Sequence, residues 1–259
     1  MMRHSNKIPS QKTIPPNREA GERLQNVLAR RGVASRRHAA EIIGQGDVTV
    51  DGRCVTEPGF RVDPETMVIC VQGRPLPRSE EIHRTILLYK PAGLICGADN
   101  AQGETVCDFM GRYFRERLVP VGRLDKESEG LLLMSNDGEL VNAITHPRYG
   151  HTKTYIARVA GRMEDRKMTI LRSRLEIDGY VIRPVEVEIL AVGRDHTHKL
   201  AFTLAEGRNR QIRKMCSLAG FVVLSLTRVR IGPIKICNMK PGEWRELSPA
   251  EIRALKNPG

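Results

Sequence analysis

The segment VGRLDKESEGLLLMSNDGEL, residues 121–140, places one aspartate, Asp125, between two apolar runs. An apolar strand ending at Val121 delivers Arg123 and Asp125 into a turn, and Gly130 opens a second apolar strand that must be buried. A carboxylate held at the mouth of a buried strand can work as a general base or as a nucleophile. The same spacing suits an aspartate that caps a turn, which is the reading for Asn136-Asp137-Gly138 further on. The residue pattern by itself leaves both open.

Other chemistries find less support. His196 and His198 stand two apart, as on one face of a strand, but no third ligand lies near. The run RDHTH reads as a solvated polar turn, and no metal is expected. Six cysteines, at 54, 70, 96, 107, 216 and 237, form no Cys-x-x-Cys pair and read as thiols of a reducing cytosol. Neither a Walker loop nor a dinucleotide-binding glycine fingerprint is present.

The 259 residues carry 42 Lys and Arg against 30 Asp and Glu, a formal charge of +12. Hydrophobic residues at 40% are too many for a wholly disordered chain, and charged residues at 28% too many for a membrane protein. Apolar runs are short beside the ~18 residues of a membrane span. The excess charge is segregated: residues 1–38 hold nine basic and two acidic side chains, residues 205–259 eleven and four, and the stretch between is nearly balanced. Local basic charge of this kind binds polyanions, because each neutralised phosphate releases condensed counterions. Residues 1–21 lack the apolar core of a signal peptide and read as a disordered basic tail.

The elements that must position these groups follow from periodicity. From Glu22, Leu24, Val27 and Leu28 repeat with helical spacing until Gly32, and Ser35 N-caps a second helix with Ala39, Ile42 and Ile43 on one face. Val48 and Val50 then alternate, Asp51-Gly52 supplies a hairpin turn, and a further strand spans Met67–Val71. This αα-β module occupies residues 22–75, and a Pro-containing linker follows over 76–84. Residues 85–259 form a larger domain. Strands are expected near 86–89, 118–121, 131–135, 154–159, 185–190, 200–204 and 221–229, and helices near 105–114, 139–145, 163–172, 208–219 and 249–256. The last helix has a capping box, with Ser248 as N-cap, Pro249 at N1 and Glu251 at N3. The fold class is α+β, a small αα-β module followed by a mixed α+β domain around an antiparallel sheet.

Two resemblances sharpen this reading. RLQNVLARRGVASRRHAAEIIGQGDVTVDGRCV resembles the S-four-like RNA-binding module, which implies RNA binding through Arg30, Arg31, Arg36, Arg37 and the helix start at Ser35. GRLDKESEGLLLMSNDGEL is similar to the signature of the pseudouridine synthases, in the RsuA/RluB/RluE/RluF branch acting on ribosomal RNA. The companion segments stand in order: KPAG at 90–93, HPRYGHTKTY at 146–155, EGRNRQIRKM at 206–215 and TRVRIGPI at 227–234.

The second resemblance implies roles. Asp125 matches the catalytic aspartate, Tyr155 the tyrosine that stacks on the target base, and Arg213 the basic residue that pairs with the aspartate. Arg123 matches the residue that contacts or replaces the flipped nucleotide, Leu124 and Ile231 line the base pocket, and Arg208, Asn209, Arg210 and Lys214 bind RNA. Three routes are open to the aspartate: attack on the sugar, attack on the uracil ring, or removal of a sugar proton. The reaction is a redox-neutral isomerisation, so no cofactor is expected. The implied partner is ribosomal RNA or a pre-ribosomal particle, with the large subunit favoured over the small. The rival is a non-catalytic ribosome-assembly factor. A cytoplasmic monomer without a DNA or membrane partner is expected.

Overall fold

The helical spacing around Leu24 and the cap at Ser35 both materialise in the computed structural model, which describes residues 21–77, 83–97, 101 and 103–257. The basic tail expected at 1–21, Gly21 aside, and residues 78–82 of the expected linker lie outside the described residues. The chain divides between residues 82 and 83 into two units.

In the first unit β1 (Glu22–Arg23) leads directly into α1 (Leu24–Arg30), which buries Leu24, Val27 and Leu28. The second helix, α2 (Arg36–Gly44), starts where the Ser35 side chain accepts the His38 N–H at 3.2 Å, and it buries Ala39 and Ile43 against α1. Strands β2 (Val48–Val50) and β3 (Arg53–Val55) form a hairpin through Asp51 and Gly52, at φ 47° and 75°. Strand β4 (Arg61–Val62) pairs with β1, and β5 (Ile69–Val71) and β6 (Arg74–Pro75) complete a sheet of order β3-β2-β5-β6. The strand expected from Met67 starts at Ile69, because the Met67 N–H is spent on a turn to the Asp63 carbonyl. Leu76, expected in the linker, packs against this unit's core.

The second unit runs β7 (Thr85–Lys90), α3 (Val106–Met110), β8 (Val119–Val121), β9 (Glu129–Ser135), α4 (Gly138–Thr145), β10 (Lys153–Ala160) and α5 (Asp165–Arg172). It continues with β11 (Glu176–Ile177), β12 (Tyr180–Val181), β13 (Glu186–Val192), β14 (Thr197–Leu204), α6 (Gln211–Leu218), β15 (Val222–Ile231), β16 (Ile234–Lys235), β17 (Trp244–Glu246) and α7 (Pro249–Lys256). The main sheet has the order β13-β14-β10-β15-β9-β7-β17. Every pair in it is antiparallel except β9 with β15, which run parallel through Thr227↔Glu129 and Arg228↔Gly130, so the sheet is mixed rather than purely antiparallel.

Strand β9 explains its own apolar run. Leu131 and Leu133 enter the core shared with α4 and α7, while Leu132 and Met134 enter the core shared with α3, so both faces are buried. A third core packs α5 and α6 on β10, β13 and β14. The α7 capping box forms as read, with Ser248 and Glu251 bonded reciprocally. Among the described residues no helix is long and apolar enough to cross a membrane.

Two expectations change. Helix α6 begins at Gln211 rather than 208, because Arg210 takes a left-handed φ of 52°. The solvated turn holds for His196 but not for His198, which lies on β14, 3% exposed, with Nε2 2.8 Å from the Gly161 carbonyl.

Candidate active site

Asp125 sits in the loop joining β8 to β9, and the loop is tied down along its length. The Ser128 N–H donates to the Asp125 carbonyl at 3.0 Å, and the Gly93 N–H donates to the Lys126 carbonyl at 2.7 Å. Lys90, wholly buried at the end of β7, donates from Nζ to the carbonyls of Ser128 (2.8 Å), Pro91 (3.0 Å) and Lys126 (3.4 Å). Three carbonyls saturate the three donors of an ammonium. Burial pulls the Lys90 ammonium below its ordinary pKa, and Cys96, Asp125 and Glu129 act in the opposite sense.

Arg228 of β15 joins this loop to the strand beside it. Its side chain is buried, with Nε donating to the Leu131 carbonyl at 2.7 Å and Nη1 to the Arg123 carbonyl at 3.3 Å and the Tyr155 hydroxyl at 3.4 Å. The approach of the two backbones depends on Gly130. Its φ is 103°, and a Cβ there would lie 2.3 Å from the Arg228 carbonyl oxygen. Tyr155, half-buried on β10, packs against two of the unit's cores.

Of these, Arg123, Asp125, Ser128, Tyr155 and Arg228 line an open cleft of about 730 Å³. Among the described residues six cations, Arg123, Lys153, Arg183, Arg208, Arg210 and Arg228, share the lining with two carboxylates, Asp125 and Glu206, so the cleft is electropositive. Arg210, just ahead of α6, lies 3.9 Å from Asp125 and 2.8 Å from Glu127. Its hydrogen bond holds the Glu127 carboxyl below the usual range, and Glu127 in turn raises the Arg210 pKa. Burial first, and the charge of Arg228 second, push the Lys153 ammonium down. A carboxylate beside an aromatic face, walled by cations, suits a flat polar ring carried on a polyanion.

Comparison with known proteins agrees. Residues 84–218, more than half of the chain, match the RNA pseudouridylate synthase family. The chain belongs to that family. Residues 22–68 match the S4 domain, which identifies the first unit. A ribosomal large subunit pseudouridine synthase B of Bacillus subtilis is 36% identical over 91% of this chain and 96% of its own length. An RNA pseudouridine synthase of Aquifex aeolicus is 35% identical over 90% and 93% respectively. A solved pseudouridylate synthase superposes with a TM-score of 0.64 at 28% identity, covering 90% of this chain and 99% of that one. This pseudouridine synthase is therefore an isomerase with an RNA-binding domain at its N-terminal side.

Of the residues singled out in the sequence, Asp125, Arg123, Leu124, Tyr155, Ile231, Arg208, Asn209 and Arg210 all line the synthase cleft, with Leu124 and Ile231 as buried apolar wall. Arg213 does not line it. The guanidinium within ion-pair distance of Asp125 is that of Arg210, because the left-handed turn at 210 points that residue back at the loop while Arg213 sits one turn into α6, its Nε buried without a partner. Lys214 is engaged by Asp178. In the S4 domain Arg36 and Arg37 are exposed beside Ser35, and Arg30 pairs with Glu22 at 2.7 Å. Arg31 is not offered to RNA. Its side chain is 8% exposed and donates to the carbonyls of Pro64 and Pro77, each at 3.1 Å.

Residues that sequence reasoning did not single out are Lys90, Lys153, Arg228, Tyr180 and Arg183.

Proposed function

We propose that this pseudouridine synthase isomerises a specific uridine of large-subunit ribosomal RNA, with Asp125 as its catalytic carboxylate. The observation that carries the assignment is the meeting of Asp125, Tyr155 and Arg228 in one cationic cleft. The choice of RNA rests on the Bacillus subtilis relative, whose name specifies the large ribosomal subunit.

The reaction breaks the bond from uracil N1 to the ribose, turns the base, joins C5 to the same sugar carbon and releases the C5 proton, while N1 takes up a proton in its place. Asp125 supplies the nucleophile or base, and its loop position is fixed by Lys90 and Arg228 before substrate arrives. Extruding the base costs a few kcal/mol, of which stacking on Tyr155 returns ~1–3 kcal/mol. Arg123, exposed two residues from the acid, contacts the strand left by the flipped nucleotide. Arg210 balances the Asp125 charge as the base closes over it. Arg36 and Arg37 dock the S4 domain on phosphates.

The test is tritium release from C5-labelled large- and small-subunit transcripts incubated separately with the full chain. Release from the large-subunit transcript is expected. Release from the small-subunit transcript alone would overturn the choice of subunit, and release from neither, with RNA bound, would overturn the ribosomal assignment.

A further inference from the structure

Tyr180 is the second tyrosine of the cleft, and the chemistry above leaves it unused. It stands 39% exposed on the β11–β12 hairpin, in a chain only 4% aromatic. The hairpin turns through Asp178 and Gly179, at φ 51° and 72°, and is rooted at three points. Ile177 and Ile182 are buried in the core under α5 and α6, Asp178 pairs with Lys214, and the Arg183 N–H donates to Glu206 Oε1 at 2.8 Å. A tyrosine so anchored and yet open to the cleft is presented rather than packed.

The guanidinium of Arg208 lies over the Tyr180 ring, 3.5 Å from its centroid. Two residues on, Arg210 reaches Asp125 at 3.9 Å. The Cα atoms of Arg208 and Arg210 are at most ~7 Å apart, so one short segment presents one arginine to Asp125 and the other to Tyr180 within the same cleft. Stacked aromatic and guanidinium planes hold the face of any nucleobase without reading its edge.

We infer that Tyr180 and Arg208 form a second base subsite, a stacking platform for an unpaired nucleobase adjoining the target uridine, with Arg183 beside it for the phosphate. The inference rests on the reading that the Asp125 cleft takes a uridine of RNA. The subsite favours uridines whose neighbour is unstacked, as in loops and bulges, over those inside a regular helix.

The test uses the full chain with the C5-tritiated ribosomal transcript it modifies, and with versions in which the nucleotide on either side of the target is abasic. Dissociation constants are read by fluorescence anisotropy and product by tritium release. Tyr180→Ala is expected to raise Kd and KM about tenfold, with a smaller change in kcat, and Arg208→Ala to do likewise. Tyr180→Phe should retain wild-type values. Removing one of the two neighbouring bases should weaken the wild type to the same degree and leave Tyr180→Ala with no further loss. Wild-type behaviour of Tyr180→Ala, or a loss that persists in full on both abasic substrates, would overturn the subsite. A wild type whose RNA binding depends on Tyr180 in this way, but which releases no tritium, would sustain the subsite and refute the catalytic reading.

Discussion

The guanidinium of Arg228 stands behind the hydroxyl of Tyr155, with Nη1 3.4 Å from the phenol oxygen and 3.3 Å from the carbonyl of Arg123. One buried cation thus holds both Tyr155 and the loop that carries Asp125. Arg228→Lys keeps the charge but loses the planar fork that makes these contacts. Its expected effect is a fall of about 100-fold in the single-turnover rate, since small misplacements of reacting groups carry that cost, while the Kd for RNA changes far less. Single-turnover tritium release with parallel binding measurements separates the two, and an unchanged rate would show that Arg228 positions nothing.

In the S4 domain the arginines divide by exposure. Arg36 and Arg37 are exposed at the start of α2, whereas Arg31 is committed to the carbonyls of Pro64 and Pro77. Replacing Arg36 and Arg37 together by Ala should reduce the slope of log K against log salt by about 1.5, the share of two phosphate contacts. Arg31→Ala should leave the slope unchanged and cost about 1–2 kcal/mol of stability, because two hydrogen bonds, to the half-buried Pro64 and the exposed Pro77, are exchanged for bonds to water. Binding titrations across a series of KCl concentrations, with urea denaturation alongside, check both.

Helix α7 abuts the cleft, since the Leu255 carbonyl accepts from His151 Nε2 at 2.9 Å and His151 lines the site. The helix start is held by Glu251, whose carboxyl takes a bidentate bond from Arg245 at 2.9 and 2.6 Å and is held down to about 2 by it, from an ordinary 4.5. A depressed carboxyl stabilises the fold fully above its unfolded pKa and loses that contribution as pH falls through the folded value. Glu251→Gln should therefore cost about 1–2 kcal/mol at pH 7, with the gap to wild type constant above pH ~4.5 and closing toward pH 2. Urea denaturation of both proteins at several pH values reads this directly.

The larger features were legible because they obey periodicity. The long strands of the second unit, helices α4, α5 and α7, the Ser35 and Ser248 caps and the Asp51-Gly52 turn each fall where the residues indicate. The two-residue strands β1, β4, β6, β11, β12 and β16 were not legible, since so short a segment has no period to read. The site was legible where a motif names its residue, as with Asp125 and Tyr155. It was not where a role depends on a backbone turn: the left-handed residue at Arg210 decides which arginine meets Asp125, and nothing in EGRNRQIRKM marks that turn. Buried cations were missed for a related reason. Lys90 and Arg228 look like surface charge until five carbonyls and a hydroxyl are found around them.

The chemistry proposed for this cleft rests on the Asp125 carboxylate. Its most direct test is tritium release from C5-labelled large-subunit transcript by wild type and Asp125→Asn at equal protein and RNA, with binding confirmed for both. Asp125→Asn should bind the RNA as wild type does and release no tritium above background; release at the wild-type rate would contradict the account.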